Sequence, residues 1–187
     1  MKTIIIPGSI MGDFPVAHEI EEHLWLGSSE VIEAINDIIE HKITSIVVIA
    51  SSKARIPKIP TILDRIIIIQ DDGLRFSGDS IGKIFDFIDS KLIKKEGIIV
   101  ICGAGVSRSA VIVAGYLMKT QLLNPLEALE KIKKIRRVVE PFQNTFQSVQ
   151  DYIYPNKIFF CSDCKRQWVY FSSFKDHCQC KNPKIVS

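Results

Sequence analysis

The sequence predicts an α/β domain with a central, mostly parallel sheet flanked by helices, followed by a small C-terminal module. Residues 44–50, 65–69 and 98–101 are runs rich in isoleucine and valine, as is typical of parallel strands buried on both faces. Segments with apolar residues at helical spacing separate these runs, which favours helices on both sides of the sheet. The cysteines divide the chain, since one is Cys102 and four lie in the last 27 residues.

The elements follow in order. Residues 24–27 predict a short strand, and Ser28 or Ser29 can cap a helix that aligns isoleucines 32, 35, 38 and 39 on one face. After the strands at 44–50 and 65–69, Asp79 or Ser80 begins a long helix that ends at Gly97. The remaining predictions are a strand at 98–101, a helix at 108–119, a capped helix starting at Asn124-Pro125 with Glu127, and a last helix over about 144–153.

Length and charge limit the class of protein. The 187 residues suffice for one domain and a small module. Residues 155–187 carry a net charge of about +4, and the whole chain carries +3. The rest of the chain is therefore near neutral and is not typical of a nucleic-acid binder. No apolar run approaches the roughly 20 residues that cross a bilayer. We therefore expect no membrane contact, a location in the cytoplasm or also the nucleus, and reduced thiols.

The segment from Cys102 to Arg108 combines a cysteine at a strand end, two glycines and an arginine at the start of a helix. Gly103 and Gly105 permit unusual dihedrals, so the loop of Gly103, Ala104, Gly105, Val106 and Ser107 can turn its N–H groups inward to bind an anion. A thiol among such donors ionises readily to a nucleophile. Arg108 can hold two phosphoryl oxygens, and Ser109 can hydrogen-bond the thiolate. The alternative is a buried structural cysteine followed by a surface arginine.

The loop C-G-A-G-V-S-R-S resembles the signature loop of the dual-specificity protein phosphatases, in the cysteine-dependent tyrosine phosphatase superfamily. Further segments are similar to that family: E-I-E-E-H-L-W-L-G-S, I-T-S-I-V-V-I-A, I-F-D-F-I-D and R-R-V-V-E-P-F-Q-N-T-F-Q-S-V-Q-D-Y. The resemblance covers residues 18–154 and implies three parts: an N-terminal extension (1–17), a catalytic domain (18–154) and a tail (155–187). It implies a protein phosphatase that uses a cysteinyl-phosphate intermediate and needs no metal for catalysis.

The resemblance also implies a proton donor. The family keeps an aspartate a few residues past the strand that precedes the long helix, and I-I-I-Q-D-D puts Asp71 at that position with Asp72 beside it. We expect the pair to contain the acid and favour Asp71. The alternative is a solvated turn at Asp71-Asp72-Gly73.

Ile101 departs from the family, whose histidine before the cysteine supports the loop. We therefore expect weaker activity that needs a higher pH to form the thiolate. The alternative is a catalytically weak or silent phospho-binding or scaffold protein. Because the loop carries no lysine, phosphoprotein substrates are favoured over highly charged lipids or RNA, and phosphotyrosine is not separated from phosphoserine or phosphothreonine.

In the tail, twelve residues separate the pair Cys161 and Cys164 from His177, and Cys180 follows. This spacing is typical of a structural zinc site. Cys178 can replace Cys180 as the fourth ligand. The alternatives are a disordered tail with reduced cysteines or paired disulfides. The basic tail can contact RNA, a ribosomal surface or a protein partner, or simply cap the domain. His18, His23 and His41 lack ligand spacing and are interpreted as surface or core histidines.

Overall fold

The computed structural model describes residues 2–9, 12 and 14–155, together with the backbone of three strands in the tail. The strands of the domain are β1 Thr3–Ile4, β2 Ala17–Glu21, β3 Leu24–Ser28, β4 Ile43–Ala50, β5 Asp64–Ile69 and β6 Gly97–Cys102. The helices are α1 Ile35–Glu40, α2 Gly78–Leu92, α3 Arg108–Gln121, α4 Pro125–Ile135 and α5 Gln143–Ile153. The tail strands are β7 Ile158–Cys161, β8 Gln167–Trp168 and β9 Pro183–Val186.

The central sheet is mixed, with the order β1-β2-β3-β6-β4-β5. The pairs β3–β6, β6–β4 and β4–β5 are parallel, whereas β1–β2 and β2–β3 are antiparallel. The prediction of parallel strands is confirmed for β3, β6, β4 and β5. The two N-terminal strands were not predicted, and the expected boundary between residues 17 and 18 falls inside β2.

The sheet separates two apolar layers, because successive side chains of a strand point to opposite faces. Ile98, Val100 and Cys102 of β6 belong to the layer formed with α2, α3, α4 and α5. Ile99 and Ile101 belong to the other layer, which includes Trp25, Val31 and residues of α1. Cys102 and Ile101, although adjacent in the chain, therefore contact different cores.

Two local expectations are wrong. The helix predicted after β3 is a 3-10 turn at Ser29–Glu33 followed by α1, neither start has a side-chain cap, and Ile39 is 54% exposed. The hydroxyl of Ser29 hydrogen-bonds the Gly103 carbonyl oxygen instead (3.2 Å), so it is not available as a cap. Helix α2 is capped by Ser77, whose hydroxyl accepts from the Ser80 N–H.

The helix start at Asn124 is confirmed with its full capping box. The Asn124 carboxamide accepts from the N–H groups of Leu126 and Glu127, and Glu127 accepts from the Asn124 N–H. Within the part of the chain that is described, no helix is long and apolar enough to cross a bilayer.

Candidate active site

The loop between β6 and α3 lies at the carboxyl end of the parallel strands, the edge where α/β proteins bind ligands. Strand β6 ends at Cys102 and α3 begins at Arg108. A cleft of about 460 Å³ opens on the loop; it is lined by Asp72, Cys102, Ala104, Val106, Ser107, Arg108, Glu140, Pro141, Phe142 and Gln143. Cys102 and Arg108 are nearly buried, with exposed fractions of 4% and 8%.

The carbonyl groups of the loop accept hydrogen bonds from three other parts of the chain. The Gly103 oxygen accepts from Ser29 N (3.0 Å) and the Val106 oxygen accepts from Glu140 N (3.0 Å). The two carbonyl oxygens between them accept from one side chain, Arg136: Nη2 bonds Ala104 (3.1 Å) and Nε bonds Gly105 (2.9 Å). Four consecutive carbonyls therefore have fixed partners.

Fixing these carbonyls also fixes the N–H groups. In a planar trans peptide the N–H of the next residue points opposite to the C=O. The N–H groups of residues 104–107 therefore point away from the carbonyls' partners, and residues 104, 106 and 107 line the cleft. None of these four donors has an acceptor among the described residues. Such a set of free donors beside the N-terminus of a helix is suited to an anion.

Only one of the two loop glycines has the unusual dihedrals that the sequence predicted. Gly105 has φ +67°, and a Cβ there would lie 2.5 Å from the carbonyl carbon of Gly27, so the loop packs directly on β3. Gly103 has no positive φ, and a Cβ there would meet Arg108 Nη2 only at 3.7 Å. The expectation for Gly103 is wrong, because the turn needs the left-handed conformation only at Gly105.

Ser109 and Arg108 lie where the sequence predicted. The Ser109 hydroxyl is 3.1 Å from the Cys102 thiol sulfur, and both groups are buried. Arg108 Nη1 donates to the Gln70 carbonyl oxygen (3.1 Å), and Arg108 Nε lies 2.9 Å from Asp72 Oδ1. The sulfur, the hydroxyl and the guanidinium thus meet at one end of the loop, beside the N-terminus of α3 and its partial positive charge.

The two candidate acids lie in different surroundings. Asp72 lines the same cleft as Cys102 and pairs with Arg108. Asp71 is not among the cleft residues; its carboxylate accepts from Ser51 Oγ (2.5 Å), Ser52 N (2.7 Å) and Ser52 Oγ (2.6 Å). These hydrogen bonds from Ser51 and Ser52 lower the pKa of Asp71 to about 2. In this arrangement Asp71 ties β5 to the end of β4.

Sequence analysis missed the contribution of residues 136–143. Glu140, Pro141, Phe142 and Gln143 line the cleft, and the Phe142 N–H donates to the Ser107 hydroxyl (3.0 Å). From its sequence, this segment showed only a similarity to the phosphatase family. Neither its spacing nor its composition indicates that it packs on a loop more than 30 residues away.

The predicted metal ligands lie mostly outside the described residues. Cys161 ends β7, of which only the backbone is described, and Cys164, His177, Cys178 and Cys180 fall on segments that are not described. Strand β7 pairs antiparallel with both β8 and β9. Among the described residues, no group of three or more His, Cys, Asp or Glu side chains is arranged to hold a metal ion.

Comparisons with known proteins agree with this geometry. Residues 24–153 match the family described as dual specificity phosphatase, catalytic domain. A probable dual specificity protein phosphatase of Dictyostelium discoideum is 30% identical over 125 residues, which cover 67% of this chain and 57% of that protein. Dual specificity protein phosphatase 1 of Arabidopsis thaliana is 31% identical over 138 residues, with 71% of this chain and 66% of that protein covered. The chain thus spans less than two thirds of these relatives.

Solved structures share the fold. Human DUSP28 superimposes with a TM-score of 0.67 at 21% identity, covering 80% of this chain and 96% of that structure. The human tyrosine phosphatase-like serine/threonine/tyrosine-interacting protein gives 0.68 at 22% identity, covering 73% and 94%. Since the family match extends over most of the chain and includes the loop from Cys102 to Arg108, this protein belongs to the dual specificity phosphatase catalytic-domain family.

Proposed function

We propose that the protein is a protein phosphatase that hydrolyses phosphotyrosine, and also phosphoserine and phosphothreonine, through a cysteinyl-phosphate intermediate. The observation that carries the proposal is the loop itself: four N–H groups without acceptors among the described residues, in a loop that lines the cleft with Cys102 and Arg108. Such a site binds a phosphoryl group and keeps a sulfur nucleophile in line with it.

The proposed reaction has two steps. The Cys102 thiolate attacks phosphorus, a P–S bond forms, the P–O bond to the substrate side chain breaks, and the departing oxygen takes a proton from an aspartic acid. Arg108 and the amides of residues 104–107 hold the phosphoryl oxygens in both steps. Water then attacks phosphorus after losing a proton to the same aspartate, and the P–S bond breaks. The Ser109 hydroxyl, 3.1 Å from the sulfur, stabilises the departing thiolate.

The acid belongs to the Asp71–Asp72 pair, and two observations support Asp72 in this role. Asp72 lines the same cleft as Cys102, whereas Asp71 does not. The low pKa of Asp71, caused by hydrogen bonds from Ser51 and Ser52, makes it a poor proton carrier in its present position. For Asp71 to act as the acid, as the resemblance implies, its carboxylate must first leave both serines.

The charges around the cleft support a phosphoprotein substrate. The loop contributes no cation of its own, and Asp72 and Glu140 add two carboxylates to the lining. Asp72 is paired with Arg108 and is the proposed acid, so Glu140 is the carboxylate that repels substrates with several phosphates, such as phosphoinositides or RNA ends. A single phosphorylated side chain presents less negative charge to it.

Hydrolysis of an aryl phosphate across about pH 5–8 tests the proposal, with Cys102→Ser, Asp72→Asn and Asp71→Asn as variants. We expect no turnover from Cys102→Ser, and from Asp72→Asn a loss of about 10²–10⁴-fold that is greatest at low pH, where the acid of the wild type is protonated. Asp71→Asn should lose far less. The reverse order of the two asparagine variants would identify Asp71 as the acid.

Wild-type turnover no faster than that of Cys102→Ser would refute the enzyme assignment. Phosphopeptide binding by both proteins would then identify a phospho-binding scaffold.

We further propose that Cys161, Cys164, His177 and either Cys180 or Cys178 hold a structural zinc ion, and that the basic tail contacts a protein or RNA partner. The pairing of β7 with β8 supports the first part. Strand β7 ends at Cys161 and β8 begins at Gln167. The Cys161-x2-Cys164 pair therefore lies at the connection of two antiparallel strands, a frequent position for two zinc ligands.

A further inference from the structure

Arg136 is a buried cation behind the catalytic loop. Its exposed fraction is 0%, and it lies just after α4, on the far side of the loop from the cleft. Burial lowers the pKa of Arg136 to about 10, which leaves the guanidinium charged at neutral pH. Buried charges normally have an ionic partner.

The partners of Arg136 are unusual because no acidic side chain of the described residues pairs with it. Its hydrogen bonds go to the carbonyl oxygens of Ala104, Gly105 and Pro15 and to His18 Nδ1, at 2.8–3.1 Å. The ring of Phe14 lies 5.3 Å from its guanidinium carbon. An electrostatic interaction with Cys102 acts in the opposite direction to burial and raises the pKa of Arg136.

These contacts give Arg136 two effects on the site. By holding the Ala104 and Gly105 carbonyls, it fixes the direction of the N–H groups of residues 105 and 106. Its uncompensated positive charge, in surroundings of low dielectric, also favours a negative sulfur and a bound phosphoryl group. Ile101, the residue before the cysteine, cannot supply either effect, since its side chain carries neither a hydrogen-bond donor nor a charge.

We infer that Arg136, oriented by His18, is the positioning residue that orders the phosphate-binding loop and stabilises the Cys102 thiolate in this protein. The inference rests on the proposed function of the same site. The buried pair of Arg136 and His18 takes the role that the histidine before the cysteine has in the family, which is to support the loop.

The chain offers a matched control, because Arg137 is exposed whereas Arg136 is buried. Three full-length variants are compared with the wild type: Arg136→Met, Arg136→Lys and Arg137→Met. Two readouts do not depend on turnover. One is the pH midpoint of Cys102 alkylation by iodoacetamide, followed by mass spectrometry of its peptide. The other is the dissociation constant for tungstate, a phosphate analogue.

For Arg136→Met we expect an alkylation midpoint about one pH unit higher and tungstate binding at least about tenfold weaker. Arg136→Lys keeps the charge but cannot hold both carbonyls, so the midpoint should stay near that of the wild type while tungstate binding weakens. Arg137→Met should match the wild type in both.

Equal midpoints and tungstate affinities for Arg136→Met and Arg137→Met would overturn the inference. If Arg136→Met does not fold, the decision falls on Arg136→Lys, and unchanged tungstate binding in that variant would overturn it as well. Failure of the proposed function looks different, because a protein without turnover would still show the shifts in alkylation and tungstate binding.

Discussion

His18 is a buried histidine whose environment disfavours its charged form. Burial, and secondly the charge of Arg136, lower the pKa of His18 to about 4 from the usual 6.5. The folded protein therefore keeps this ring neutral, so that Nδ1 can accept a hydrogen bond from the guanidinium. Protonation of His18 in acid therefore affects both the stability of the fold and the hydrogen bond that orients Arg136 behind the loop.

This shift predicts a loss of stability in acid. Between pH 6.5 and pH 4 the unfolded chain binds a proton at His18 that the folded chain does not, so the free energy of unfolding falls as the pH falls. We expect this residue to contribute about 1–3 kcal/mol to that fall. Urea unfolding at pH 7, 6, 5 and 4 measures it.

The matched variant for this measurement is His18→Gln, which keeps an acceptor but does not titrate. Its free energy of unfolding should change less over the same range. Parallel curves for the variant and the wild type would show that His18 does not carry the acid sensitivity.

Ile101 illustrates what could be predicted at the level of single residues. The sequence located Cys102, Arg108 and Ser109, because a cysteine, glycines and an arginine at a fixed spacing have few other uses. It also identified Ile101 as a departure. It could not indicate what supports the loop instead, since Arg136 reaches the loop only through the tertiary packing of the segment after α4.

At the level of elements, α3 lies at the centre of one apolar layer and contacts α5 closely. Gly115 of α3 allows this contact. A Cβ at position 115 would lie 2.1 Å from Val149 Cγ1 and 3.2 Å from the ring of Phe85. Arg108 and Ser109 belong to the first turn of α3. The position of this helix therefore also determines where their side chains lie in the site.

We therefore expect Gly115→Ala to lower the free energy of unfolding by about 1–2 kcal/mol. Overpacking a core costs about 1–3 kcal/mol, and the higher helix propensity of alanine offsets up to about 1 kcal/mol of that. The control is Gly82→Ala in α2, where the nearest atom is the mobile Tyr152 hydroxyl at 3.0 Å. Urea unfolding of both variants makes the comparison.

A double-mutant cycle with Val149→Ala isolates the contact between the two helices. Val149→Ala should cost less stability in the Gly115→Ala background than in the wild type, because it removes the clashing methyl groups. An unchanged cost of Val149→Ala would contradict the proposed clash. So would a Gly115→Ala variant as stable as Gly82→Ala.

The types of these elements could be predicted better than their ends. Periodicity located every helix from α2 to α5 and the strands β3 to β6, and the capping pattern at Asn124 fixed the start of α4. The 3-10 turn after β3 could not be predicted, because neither serine expected as a cap acts as one: Ser29 hydrogen-bonds Gly103, and Ser28 makes no side-chain cap bond. Strands β1 and β2 were missed because their sequences are short and lack a clear alternation.

On the scale of the whole molecule, a mixed sheet with a helical layer on each face carries the site, and the cysteine-rich tail follows it. The sequence predicts a zinc site in the tail, for which the described residues give three paired strands. Its five candidate ligands, for four positions on the metal, are separate in sequence from every residue of the proposed reaction.

Zinc content tests this part. Freshly purified, reduced full-length protein should contain about one zinc per chain by elemental analysis. Cys161→Ser and Cys164→Ser should each lower that content, while Cys102→Ser should leave it unchanged. Protein without zinc, or with zinc that Cys102→Ser removes, would refute the tail site.

The position of Cys102 has a consequence for oxidative damage. It is the only cysteine in the first 160 residues, and peroxide converts reactive thiolates of this kind to sulfenic acids. Rescue as a disulfide needs a second thiol, which must come from the tail or from another molecule. If the tail holds zinc as proposed, its thiolates are occupied by the metal, and the second thiol must then come from another molecule.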